Sequence, residues 1–141
     1  MKIPQMLFHI AWVIALVGVV GSLFFSEVMG LPPCILCWYQ RIAMYPLVLV
    51  IGTGIVLQDK RVKIYALPLV IAGTLVAIYH NFLYYGLIPE NLTPCTEGVS
   101  CTSRQLELFG FVTIPLMSLI GFVAMSACLL LGNFNQIDEK Q

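Results

Sequence analysis

Charge is scarce in this chain. Only 10% of its residues are Asp, Glu, Lys or Arg, against about 25% in ordinary soluble domains. Hydrophobic residues make up 60%, and the mean hydropathy is +0.93. An ordinary water-soluble domain is thereby excluded. Lys plus Arg equal Asp plus Glu, so the formal net charge is zero and there is no basic excess with which to grip nucleic acid. The long apolar runs contain no Asp, Glu or Lys, so the deep ionisable group of a small transporter is missing. They also lack the polar–apolar alternation of a membrane barrel. No internal repeat or low-complexity tract is present.

What is present is four apolar runs. A helix needs roughly 20 apolar residues, at ~1.5 Å each, to cross ~30 Å of hydrocarbon. In lipid the backbone must satisfy its own hydrogen bonds, so such runs are expected to be helices. The expected fold is an all-α membrane protein, a four-transmembrane-helix bundle, with residues 1–141 forming a single integral membrane domain. The expected spans are about 5–26, 34–57, 64–85 and 108–131, with a polar loop over 86–107. Lys2 precedes the first run as in a signal peptide, but Ser22 to Glu27 offers no small-x-small cleavage site, so a retained span is expected. Trp38 and Tyr39 stand where an interfacial aromatic belt belongs, and Pro46 is expected to kink the second span.

Four spans put both termini on one side. Lys2, Lys60, Arg61, Lys63 and Lys140 fall on that side, and Arg41 and Arg104 on the other. Basic residues collect on the cytoplasmic side. The termini are therefore expected inside and the cysteine-bearing loops outside.

Of the five cysteines, four form two close pairs, Cys34/Cys37 and Cys95/Cys101, while Cys128 lies in an apolar run as a small hydrophobe. Pro32 and Pro33 precede Cys34. Pro favours the first helical position, so a helix starting at Pro33 would carry both cysteines of the first pair in its opening turn. There, free N–H groups and the helix dipole favour a thiolate. The bland alternative is a static staple, which would constrain the unfolded chain little across so short a loop. Cys95 and Cys101 fall in a Pro- and Gly-bearing stretch expected to be exposed and mobile. For that pair alone, a loop clip and a redox role both stay open. Two dithiols on one side of a membrane can pass electrons through mixed disulfides, from a soluble donor to an acceptor in lipid. That acceptor must be lipid-soluble and take two electrons, as a quinone does.

Arg41, four residues beyond Cys37, can lie one turn along the same face. It is a candidate to bind a quinone oxygen, the bland alternative being a side chain that snorkels to lipid phosphates. His80 is expected near the same level and can donate to the quinone or shuttle a proton, the alternative being an interfacial histidine without chemistry. Asn91-Leu92-Thr93 fits a glycosylation pattern, but Pro94 follows it and argues against use.

At this point the chain resembles a known family, the DsbB family of membrane disulfide-forming oxidoreductases, and within it the shorter BdbC-like branch. The resemblance rests on four spans, on Cys34-Ile35-Leu36-Cys37 with Arg41, on a second pair between spans three and four, and on Arg104-Gln105, Phe109-Gly110 and Pro115 leading into span four. It implies a bacterial cytoplasmic-membrane enzyme that reoxidises an extracytoplasmic thioredoxin-like donor of the DsbA/BdbD kind. Electrons would pass to menaquinone or ubiquinone, supporting disulfide formation in exported proteins. It further implies that Cys95 forms the mixed disulfide with the partner, that Cys101 exchanges with Cys34, and that Cys37 and Arg41 face the quinone. The second pair is closer in this chain than in the best-known members, where a longer segment separates the cysteines. The competing expectation is a non-catalytic membrane protein with structural disulfides or a metal site built from the four paired cysteines.

Overall fold

The computed structural model describes residues 3–89, 91, 95, 98–103 and 107–132. Lys2, Arg104, Gln105 and Lys140, which bear on the topology and the resemblance, lie outside the described residues, as do Leu92, Thr93 and Pro94 of the glycosylation pattern. Helix α1 spans Ile3–Leu23 and continues through a π turn, Phe24–Val28. Helix α2 spans Ile35–Leu57, α3 Val62–Tyr84 and α4 Ile114–Leu131. All four helices are long and apolar enough to cross a membrane.

Each helix packs on two neighbours: α1 on α2 and α4, and α3 on α2 and α4. The ring they form encloses Phe8, Leu47, Ile51, Val62, Val70, Phe122, Met125 and Leu129. The opposite faces keep large apolar side chains exposed, such as Val17, Leu49, Leu75 and Leu130. Exposed apolar surface of this extent on every helix suits a hydrocarbon solvent. Small residues set the helix spacing. A Cβ at Gly73 would collide with the Phe122 ring, so glycine lets α3 and α4 approach closely. The Trp12 indole N–H donates to the Val48 carbonyl at 3.0 Å and ties α1 to α2.

The ends are read in local chemistry. Pro33 was expected to open α2, yet Cys34 is the N-cap and the helix begins at Ile35. Cys34 keeps an extended backbone (φ −73°, ψ 171°) and its sulfur accepts from the Cys37 N–H, the role usually taken by a side-chain oxygen. Gln58 ends α2 in the left-handed region (φ 51°). Pro46 lies inside α2, which runs unbroken from Ile35 to Leu57.

The fourth span was expected from about residue 108, but α4 starts at Ile114. Thr113 caps it by accepting from the Leu116 N–H, and Pro115 occupies its first turn. Before it lies a small antiparallel hairpin, β1 (Glu107–Leu108) and β2 (Val112–Thr113), with Glu107 opposite Thr113. Gly110 takes a positive φ of 81° in its turn. Proline favours a helix start, so the chain turns at the Thr113-Ile114-Pro115 step rather than continuing one apolar run.

Candidate active site

The start of α2, the end of α3 and the start of α4 share one end of the bundle. There the two cysteine pairs meet. Cys34, Leu36, Leu83 and Cys101 form one buried cluster, with Cys37, Val76, Tyr79, Ile88 and Cys95 packed against it. Cys34 and Cys101 are 6% and 4% exposed.

Helix α2 holds the first pair. Residues i and i+3 share a face at a helix start, and the Cys34 and Cys37 sulfurs stand 2.9 Å apart as a dithiol. The Cys37 backbone N–H reaches the Cys34 sulfur at 3.4 Å. The second pair is joined as a disulfide, Cys95–Cys101, with Cα atoms 5.9 Å apart. The sequence led us to expect this pair exposed. Instead, Cys101 is buried against the start of α2, and Cys95 is partly buried. Packing of the loop onto Leu36 and Leu83 is the reason, since apolar sulfur gains by leaving water.

His80 joins the pairs. Its Nε2 lies 3.8 Å from the Cys34 sulfur and 3.3 Å from the Cys101 carbonyl oxygen. Its Nδ1 is 3.2 Å from Gln40 Nε2. The carbonyl can only accept, so the network assigns the ring proton to Nε2 and makes Gln40 the donor to Nδ1. His80 is 2% exposed. Expected at the acceptor's level, it is brought to the sulfurs, with both ring nitrogens engaged by protein groups. Gln40 carries a role that our reading of the sequence missed. A polar residue three positions beyond Cys37, on the same face of an apolar helix, was the available signal. Asn81 was missed as well. Its Nδ2 donates to the Pro115 carbonyl at 2.9 Å and fixes the start of α4 beside the site.

Arg41 and Gln40 are consecutive, so they point about 100° apart around α2. Gln40 faces α3, while the Arg41 guanidinium donates to the Ser22 carbonyl of α1 at 2.9 Å and lies 5.4 Å from the Trp38 ring centroid. Among the described residues no carboxylate pairs with it. A guanidinium has five N–H donors, so Arg41 retains donors for an oxygen arriving from the lipid. In this respect the residues present fit a quinone. Cys128 is a free, partly buried cysteine on α4. Cys95 and Cys101 are bonded to each other, so a metal site using all four paired cysteines does not form here.

A cavity of about 30 Å³ opens on the sulfurs, lined by Cys34, Cys37, His80, Tyr84, Ser100 and Cys101 among others. Two cysteine pairs, one oxidised and one reduced, sharing a buried cluster have the means for thiol–disulfide exchange. Within a four-helix membrane bundle that chemistry defines the class of membrane disulfide-forming oxidoreductases.

Known proteins agree with this class. The family model described as "Disulfide bond formation protein DsbB" matches residues 4–132, and the chain belongs to the DsbB family. It is 45% identical over 132 residues to a "Probable disulfide formation protein C 2" of Bacillus anthracis, covering 94% of this chain and 91% of that protein. It is 42% identical over 134 residues to the "Disulfide bond formation protein C" of Bacillus subtilis (strain 168), covering 94% and 97%. It is 40% identical over 123 residues to a "Probable disulfide formation protein" of Metapseudomonas resinovorans, covering 86% and 85%. No solved structure matches the chain. The protein is a multi-pass membrane disulfide-forming oxidoreductase.

Proposed function

We propose that this enzyme reoxidises an extracytoplasmic thioredoxin-like thiol–disulfide oxidoreductase, of the DsbA/BdbD kind, and passes the electrons to a membrane quinone. In this reading it sits in the bacterial cytoplasmic membrane with both cysteine pairs on the outer side. The observation that carries the proposal is the shared burial of Cys34 and Cys101, with His80 in reach of both.

A reduced partner's thiolate attacks the Cys95–Cys101 disulfide at Cys95, the less buried sulfur. A partner–Cys95 bond forms and Cys101 leaves as a thiolate. The partner's second thiolate then attacks its own bonded sulfur, so the partner departs oxidised and Cys95 is released reduced. With the inner pair oxidised, Cys101 attacks Cys34, and Cys37 leaves as a thiolate. Cys95 next closes on Cys101, which restores the loop disulfide and releases Cys34. Each exchange breaks one S–S bond and forms one, so two electrons move inward per cycle.

The positions support this order. Cys34 caps a helix and receives the Cys37 N–H, which favours charge on its sulfur and so its release when Cys95 closes on Cys101. His80 carries its N–H at Nε2, between Cys34 and the Cys101 carbonyl, where it can hydrogen-bond a departing thiolate and stabilise its charge. Both of its nitrogens have protein partners, which favours a role in positioning the sulfurs over direct contact with the acceptor. Menaquinone or ubiquinone would supply a two-electron, two-proton sink. Arg41 would hold its oxygen, one turn beyond Cys37. Lys60, Arg61 and Lys63 lie at the α2–α3 turn, the bundle end opposite the cysteines, in keeping with a cytoplasmic turn.

The test is turnover. Purified protein in detergent is mixed with a reduced thioredoxin-like donor and a quinone, and quinone absorbance is followed. Loss of absorbance with the wild type and none with Cys37→Ala supports the proposal. Normal turnover in Cys37→Ala overturns it.

A further inference from the structure

We propose that the reduced centre is a redox-gated site for a thiophilic divalent cation of the zinc type, held by Cys34 Sγ, Cys37 Sγ and His80 Nε2, and abolished when Cys34 and Cys37 form their disulfide. The inference needs neither the quinone nor the partner protein.

These three ligand atoms all lie within 4.8 Å of one another. Zn–S bonds of ~2.3 Å at the tetrahedral angle place two thiolates about 3.8 Å apart. The sulfurs now stand 2.9 Å apart, so a shift of under about 1 Å opens the chelate. The Cys34 sulfur and His80 Nε2 are already 3.8 Å apart. The three donors come from two rigid elements, α2 with its cap and α3, and this fixes the bite of the site.

The chemistry of the surroundings fits. The Cys37 N–H directed at the Cys34 sulfur is a donor that a metal-bound thiolate accepts. A metal-bound histidine donates its other ring N–H to an oxygen. Gln40 is buried beside Nδ1, and rotating its amide by half a turn presents Oε1 in place of Nε2. Binding therefore moves the ring proton from Nε2 to Nδ1 and releases two thiol protons to solvent as two S–metal bonds form. No electrons are transferred. All three residues line the cavity of about 30 Å³, which has room for a water as fourth ligand. Once Cys34 and Cys37 are joined, neither sulfur is a thiolate and the chelate is gone. The cation thus competes with the electron-carrying step, and it captures the reduced enzyme alone.

The test uses the full-length protein in detergent with Cys95→Ser and Cys101→Ser together, which leaves Cys34/Cys37 as the one dithiol. Reduced and oxidised samples are titrated with Co2+ alone, reading the thiolate-to-cobalt charge-transfer band and bound metal by dialysis. One Co2+ per reduced chain, with the band, and no uptake after oxidation is the expected result. His80→Asn should weaken binding at least about tenfold and alter the d–d bands. Cys37→Ser, which leaves His80 in place, should lower the charge-transfer intensity. The proposal is overturned by no uptake in the reduced protein, by equal uptake after oxidation, or by unchanged affinity and spectrum in both single variants. Quinone turnover is not read, so failure here leaves the redox proposal standing.

Discussion

His80 Nε2 meets the Cys101 carbonyl oxygen at 3.3 Å, across 21 positions of chain. One buried imidazole thus pins the loop carrying the second pair onto the helix start carrying the first. His80→Phe removes that pin and the nearby N–H donor to a departing thiolate, and it should slow exchange between the pairs by roughly a hundredfold, the order lost with one preorganised donor to a developing anion. Rapid acid quench followed by thiol labelling measures it. An unchanged rate would make His80 a packing residue.

Gln40 orients that ring. Gln40→Leu leaves His80 Nδ1 buried without its partner, at a cost of about 1–3 kcal/mol. The expected outcome is a lower unfolding midpoint in detergent together with slower exchange. A variant as stable as the wild type would contradict the assigned hydrogen bond.

Cys95 and Cys101 are predicted to behave differently. With Cys101→Ser, the reduced partner should accumulate as a stable mixed disulfide at Cys95, because the neighbouring thiol is missing. With Cys95→Ser, the more buried Cys101 should trap little. Non-reducing gels report both. Equal trapping would overturn the assigned order of attack.

Asp59 supplies a pH dependence at the opposite end of the bundle. The Tyr65 hydroxyl donates to it, and the Arg61 N–H donates at 2.8 Å. These bonds hold its carboxyl below the usual carboxylate range. A depressed folded-state pKa stabilises above the unfolded value of about 3.9 and is lost as pH falls through the folded value. Asp59→Asn should therefore melt slightly lower than the wild type at neutral pH, and the difference should vanish in strong acid. A difference independent of pH would remove the carboxylate from the account.

Gly73 tests the packing. Gly73→Val forces a side chain into the Phe122 ring and should cost about 1–3 kcal/mol. Thermal unfolding in detergent checks it, with no loss as the contrary result.

Much of this was legible in the sequence, because lipid simplifies the rules. Apolar runs without charge become helices, and four helices long and apolar enough to span are present, the fourth starting later than expected. The CxxC spacing put Cys34 and Cys37 together, since a helix start brings i and i+3 onto one face. Contacts between distant segments were not legible. The burial of Cys101 depends on Leu36 and Leu83, far away in the chain. The bond between Gln40 and His80 depends on how α2 turns against α3. The late start of α4 was written in Thr113 and Pro115, but the apolar residues before them masked it. Arg41 was legible as a cation at a span edge, whereas its bond to Ser22 needed the fold.

Direct exchange between the two pairs is measured most directly as a trapped cross-link. In a protein carrying Cys37→Ser and Cys95→Ser, mild oxidation followed by proteolysis and mass spectrometry reports which sulfurs join. The account predicts a Cys34–Cys101 disulfide in most molecules. Cys34 and Cys101 remaining as free thiols under conditions that fully oxidise the wild type would contradict it.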